Sequence, residues 1–593
     1  MEKMQGLRVD KIEPLRSEDS DRVRSNSCMP EPKSAAFAAF ALPLLSACGG
    51  GGGGGSATTA APTPTSPTTL SYTPSEAARF LLQAQFSCSP SDVQNVRSLG
   101  FEGWLTQQFS APQSQSATAW LDSRNFYVPD EKDKYFNPVP GDWMAWRMLM
   151  TGEDQFRKRC ALALSEMLVV SLNPIDGFWP PYVIAAYWDL LNAQAFGNYR
   201  TLLEEITLNP AMGFYLNTRG NQKADPATGR VPDENYAREI MQLFTIGLTQ
   251  LNSDGTPKLD AQGKTQDTYS QSDITNLAKV FTGYDWNYDR VTWQSVPWLT
   301  YKIPSPEFSR DRMKLDAAKH SNEAISFLGV TIPANTAGTE ALKIALDTLF
   351  NHPNTPPFVA KQMIQRLVTS NPSPAYVGRV AAAFVNNGTG VRGDMKSLWR
   401  AILLDPEART LSGGVTAGKL REPIVRFAQW ARTFQVSSLT GKWEIYDTSN
   451  GDWGLGQSPL RSPSVFNFFR PGYVPPQTAL SANQLVAPEF QIHNETTTAG
   501  YLNFLTSVIK SGYQDVKPDY SAIIGISHQT RELLDWLNLY LAAGQVSGTT
   551  LDLVQSALDA QPLTSTSSET AKLDRIYSAI LLVMASPEYL VQK

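Results

Sequence analysis

Histidine and cysteine are scarce in this chain, with 4 of each among 593 residues. Cys28, Cys48, Cys88 and Cys160 fall at no spacing that gathers ligands, and no histidine stands near another, so no metal site is expected. Beyond the first fifty residues no apolar run is long enough to cross a bilayer as a helix. A net charge of −5 supplies no field that would draw the chain to nucleic acid. There is no Walker loop, nucleophile elbow or zinc-protease motif. Alternating β-branched stretches are rare, which argues against a sheet protein. What is present is 42% hydrophobic and 18% charged residues, an ordinary globular balance in a chain long enough for a large core.

The first 48 residues read as an address. Ala35 to Leu45 is an apolar run too short to span a membrane, followed by Leu45-Ser46-Ala47-Cys48 and Gly49. That order resembles a bacterial lipoprotein signal, cut before Cys48 with lipid attached to the cysteine. A plain secretory signal cut near Ala47 would lead to the same compartment. Met29 would open a signal of more ordinary length than Met1 does. Residues 49–71 are Gly-, Ser-, Thr- and Pro-rich, a disordered tether that cannot build a core. The expectation is an exported protein of the bacterial cell envelope, touching the membrane through its lipid alone.

Residues 72–593 read as one large, mainly α-helical domain. SEAARFLLQAQF from Ser75, with Ser75 as cap, and PSDVQNVRSLGFEGWLTQQF, broken at Gly100, both show helical spacing. FRKRCALALSEMLVVSL from Phe156 is apolar nearly all round and so belongs at the centre. A helical hairpin breaks at Gly197, and a terminal amphipathic helix closes the chain. One small β-hairpin could form in LNSDGTPKLDAQGKT, with turns at Asp254-Gly255 and Gln262-Gly263. An EF-hand there fails, because its first and twelfth positions would be Gln250 and Ala261. Gly388, Gly390 and Gly393 have dinucleotide-loop spacing but follow a helix instead of a strand, so they mark a helix–turn–helix joint. Cys88 and Cys160 could form a disulfide or remain two core thiols.

VPDENYAREIMQLFTIGL, Val231 to Leu248, is the densest run of useful side chains. Its spacing predicts one helix, with Pro232 at the first position and Gly247 as stop. Ala237, Ile240, Met241, Phe244 and Leu248 would form the buried face, and Asn235, Arg238, Glu239 and Gln242 a polar one. Glu239 is the candidate general acid or base, with Asn235 and Arg238 to orient a polar substrate. A Glu234–Arg238 pair along the helix is the structural alternative. Asp273 could face Glu239, or cap the next helix with Ser270. The aromatics from Tyr284 to Tyr301, above all Tyr284, Trp286 and Trp293, could stack on a glycan or cover a core.

Several stretches resemble, in order, the bacterial family known as domain of unknown function 1800. They are AARFLLQAQF, AFGNYRTLLEEITLNPAMGFYL, the Val231–Leu248 run, NHPNTPPFVAKQMIQRLVTSNPSPAYV, NNGTGVRGDMKSLWRAILLDPEAR and RSPSVFNFFRPGYVPP, the last a Pro-punctuated strap. The resemblance implies export and, from gene neighbourhood, an exported partner of the domain of unknown function 1501 family. It implies no agreed reaction or cofactor. Members commonly carry Asp after the histidine matching His320 and Lys four residues further on; here Ser321 and Ile325 stand there. Three readings follow: a helical envelope lipoprotein working with a secreted partner, an acid–base enzyme on the central helix, and a glycan binder.

Overall fold

A computed structural model describes residues 72–593 apart from 130–133, 176, 412–413 and 415–416. The targeting segment, Cys48 and the tether lie outside the described residues. The fold is mainly α, as the spacing predicts. Among the described residues the β-structure is confined to five two-stranded antiparallel sheets and a few isolated bridges. The 251–265 stretch forms two tight turns closed by the bridges Leu251–Pro257 and Leu259–Thr265, with Gly255 and Gly263 at positive φ. Two-strand pairs elsewhere, such as Ile325–Phe327 with Val330–Ile332, are too short to show alternation in the sequence.

Helix starts follow side-chain chemistry. Pro74–Ala84 is capped by Thr73, not Ser75, because Pro74 occupies the first turn, where its missing N–H costs nothing. Thr73 and Glu76 complete a capping box. Pro90–Ser110 bends at Gly100, whose φ of 73° no helix permits. Gln155–Ser165 is buried along its length from Phe156 onward, which makes it the central rod. Pro180–Gln194 and Tyr199–Thr207 are the two arms separated at Gly197, and Pro374–Val385 and Met395–Leu404 flank the three-glycine joint.

One hydrophobic core runs from Ala77 to Tyr589 and encloses the indoles of Trp146, Trp399 and Trp430. Thr355–Leu367 packs on Pro374–Val385, Val139–Met150 on Pro180–Gln194, and Glu495–Ser511 on Glu569–Ala585. Cys88 and Cys160 are both buried and both free. No described helix is long and apolar enough to cross a membrane.

Candidate functional site

The central stretch is shorter than its spacing predicts. An α-helix covers Asn235–Glu239 and continues as a π-turn over Ile240–Thr245. The front is pinned before it can coil. Asn221 accepts from the Asp233 N–H at 2.9 Å and donates to its carbonyl, and Asp233 in turn caps the Asn235 N–H at 2.8 Å. The back is captured by buried Asn354, which donates to the carbonyls of Ile246 and Thr249, each at 2.8 Å, and accepts from the Leu251 N–H at 2.9 Å. Gly247 has a φ of 69°, and a Cβ there would sit 2.8 Å from the Phe358 ring. The chain therefore turns out of the helix at Gly247, leaving Leu248 57% exposed instead of on the buried face. Ala237, Ile240, Met241 and Phe244 are buried as expected.

The polar face divides. Arg238 pairs with Glu234 at 3.3 Å, and Glu234 also accepts from Gln271 at 2.8 Å and Thr275 at 2.6 Å, tying the segment to Gln271–Ala278. Asp273 completes the capping box with Ser270 and accepts the Leu328 N–H at 2.8 Å. Burial would raise its pKa, but these hydrogen bonds outweigh that and lower it. Glu239 stands apart, 7% exposed, with one carboxyl oxygen buried and unpartnered. Burial pushes its carboxyl above the ordinary range and Arg238 draws it part-way back. The buried hydroxyl of Tyr269, near enough to feel the Glu239 charge, also lacks a partner.

Tyr284 and Trp286 are core residues. The Tyr284 hydroxyl donates to the Gly338 carbonyl at 3.3 Å, and the Trp286 ring is stacked on Phe308 beneath the Arg219 guanidinium. Trp293 is 45% exposed. His320 is buried with Nδ1 2.9 Å from the Thr282 carbonyl oxygen.

A cavity lies at the other end of the central segment and has a volume of about 630 Å³. Gln242, Leu243, Gly247 and Leu248 form one wall, Phe358, Lys361 and Gln362 of Thr355–Leu367 a second, and Val465, Phe466, Arg470 and Tyr473 of the strap a third. The π-turn widens the helix where it meets this space. Mostly apolar walls with a few converging polar groups are the usual make-up of a binding site.

Glu166 and Arg366 close the floor. Behind them lies a buried ionic cluster that the sequence reading missed. Arg366 is 3.3 Å from Glu166, Lys419 is 3.0 Å from Glu489 and 3.5 Å from Glu422, and Gln457 donates to Glu422 at 3.0 Å. Arg159 donates to the Arg366 carbonyl at 2.7 Å. Glu166 and Glu422 are both buried and feel each other's charge, which opposes ionisation of both together. Burial and the Glu422 charge push the Glu166 carboxyl well above its ordinary range. Burial also opposes ionisation of Glu422, but Lys419, the Glu166 hydrogen bond, Arg159 and Arg366 outweigh it.

Helix ends reinforce that division. Glu422 is at the N-cap of Pro423–Thr433, where the dipole favours a carboxylate, and Glu166 at the C-cap of Gln155–Ser165, where it does not. The available sequence signal was charge inside the most apolar run, Arg159 and Glu166 in FRKRCALALSEMLVV. Among the described residues no group of three or more His, Cys, Asp or Glu could hold a metal ion.

A family model described as "Protein of unknown function (DUF1800)" matches residues 79–591. No curated protein and no solved structure matches the chain. With nearly its whole described length covered by that one model, the chain belongs to the DUF1800 family.

Proposed function

We propose that this chain is an exported protein of the bacterial cell envelope, held to a membrane by lipid on Cys48, whose helical body binds an exported partner of the domain of unknown function 1501 family. The observation carrying the binding role is the 630 Å³ cavity, with exposed Leu248 beside Leu243, Phe358 and Phe466 in its lining. Exposed apolar surface gathered at a concavity marks a place that a partner can cover. The anchoring role is supported by the order of short apolar run, small residues and cysteine ahead of a Gly-, Ser-, Thr- and Pro-rich stretch.

Two substitutions test the two halves separately. Cys48→Ala is expected to move the chain from the membrane fraction to the soluble fraction while leaving co-purification with a co-expressed 1501-family protein intact. Leu248→Glu, at a site too exposed to matter for folding, is expected to weaken that co-purification at least tenfold, a loss of roughly 1.4 kcal/mol or more. Unchanged co-purification of the Leu248→Glu chain would remove the cavity from the reading.

A second reading, acid–base chemistry at Glu239, is favoured by its buried, unpartnered carboxyl oxygen and upward-shifted carboxyl. Because the folded pKa is raised, the stability it contributes is complete below the unfolded carboxylate range and is lost as pH rises through the folded value. Glu239→Gln is therefore expected to raise the denaturation midpoint at neutral pH and to fail to rescue a strain lacking the native gene. A Gln variant that is more stable and fully functional would leave Glu239 a packing residue.

A further inference from the structure

The charges around the 630 Å³ cavity are unbalanced. Lys361 and Arg470 both line it, and neither is in an ion pair with any described residue. Arg470 lies over the Phe466 ring, 4.7 Å from its centroid, which fixes the guanidinium at the strap wall. Among the described residues the one carboxyl in the lining is Glu166, which is already paired with Arg366 at 3.3 Å. Every other acid of the floor lies behind that pair, against Lys419. The space is thus apolar, cationic at its walls and without an opposing anion.

Two carboxamides complete the pattern. Gln242 on the π-turn and Gln362 on the facing helix both line the cavity, and neither side-chain amide makes a hydrogen bond to any described residue. A primary amide offers donors and an acceptor together, which is what a peptide bond needs and a hydrocarbon tail cannot use. Gln365, by contrast, is committed to the carbonyls of Ser370 and Pro471, where it holds the strap in place. The volume falls inside the range of about 300–1,000 Å³ of small-ligand sites, so it takes a few side chains and not a folded domain.

We infer that the cavity receives a short apolar peptide segment bearing a carboxylate, its side chains against Leu243, Leu248, Phe358 and Phe466, its backbone on Gln242 and Gln362, and its carboxylate between Lys361 and Arg470. The inference rests on the reading of this cavity as the partner-binding site and specifies the partner's chemistry. Cations at a concave, partly dry wall are worth more to a carboxylate than the same cations on an open surface, because less water screens them. The segment is assigned to the exported partner, whose chemistry is read from the unpaired cations and apolar walls of this cavity.

The test uses the full chain carrying Cys48→Ala, expressed without export so that no lipid is attached, and immobilised. The probe is a pool of tetrapeptides randomised over Leu, Phe, Val and Ile with a free C-terminal carboxylate. The same pool amidated, and dodecanoate as a competitor, are the controls. Expected is at least tenfold greater retention of the carboxylate pool than of the amidated pool, lost in Lys361→Gln and Arg470→Gln, and not displaced by dodecanoate. Equal retention of both pools, or retention unaltered in the two charge variants, overturns the carboxylate. Displacement by dodecanoate at matching concentration overturns the peptide in favour of an alkyl anion. Retention of neither pool overturns the inference outright, while the Leu248→Glu co-purification decides separately whether the cavity binds the partner at all.

Discussion

Replacing both buried carboxyls of the ionic cluster, Glu166→Gln with Glu422→Gln, is expected to cost about 3–5 kcal/mol of folding stability, the loss typical when buried cations are left without their anion. The two single variants are expected to fall well short of half that sum. Glu166→Gln keeps the shape of a carboxyl whose neutral form burial favours, so its effect should be within about 1 kcal/mol. Glu422→Gln removes the ionised member, but Glu166 can then release its proton and take over the charge facing Arg366 and Arg159. The double variant has no such reserve, leaving Arg159 and Arg366 unanswered and Lys419 to Glu489 alone. Urea denaturation of the four proteins forms a double-mutant cycle whose coupling term measures how far one carboxyl answers for the other. Additive single effects would show that the two carboxyls act independently.

The same pair sets opposite pH dependences. Glu166 keeps its proton in the fold above the range where the unfolded chain releases it. Its contribution is therefore whole below the unfolded carboxylate range and drains away as pH rises toward its folded value. Glu422 is lowered, so its contribution is present above that range and lost as pH falls through its folded value. Between pH of about 5 and 8 the Glu166→Gln chain should accordingly show a flatter stability profile than the native one.

Arg461→Ala is the second change with a large expected effect. Arg461 opens the strap and grips Asp142 through two hydrogen bonds of 2.7 Å each, and Asp142 is almost wholly buried on Val139–Met150. Burial raises the Asp142 pKa, and Arg461 limits that rise. Cutting the guanidinium leaves a buried carboxylate alone, again at about 3–5 kcal/mol. It also unfastens the wall that carries Val465, Phe466 and Arg470. Hydrogen exchange should show residues 461–473 opening while Gln155–Ser165 stays protected, and Asp142→Asn in the Arg461→Ala background should restore part of the stability by removing the charge. An Arg461→Ala chain with native stability and a protected strap would mean that Gln365 and backbone packing hold the wall unaided.

The sequence carried the helical body in plain view because 3.6-residue periodicity survives in each segment taken alone. Capping at Ser270 and the breaks at Gly100 and Gly197 are likewise local signals, contained within a few residues. The end of the central helix was not local. It depends on Asn354, more than a hundred residues away, reaching the carbonyls of Ile246 and Thr249. The cavity was illegible for the same reason, since its three walls come from residues 242–248, 358–366 and 465–474. Glu166, Arg366 and Glu422 each look unremarkable in their own segment, and only tertiary contact makes them a cluster. Asp273 reads two ways in the sequence, and the Leu328 N–H, which takes its second oxygen, lies 55 residues on.

The two thiols bear on where such a molecule can endure. Cys88 and Cys160 are sealed inside and unlinked, and burial pushes both sulfhydryls up, so that the reactive thiolate is suppressed. The described body is held by a packed core and interior ion pairs, with no covalent staple between its cysteines. Reductant and oxidant should thus leave it equally intact, and assembling it asks nothing of a thiol-oxidising catalyst.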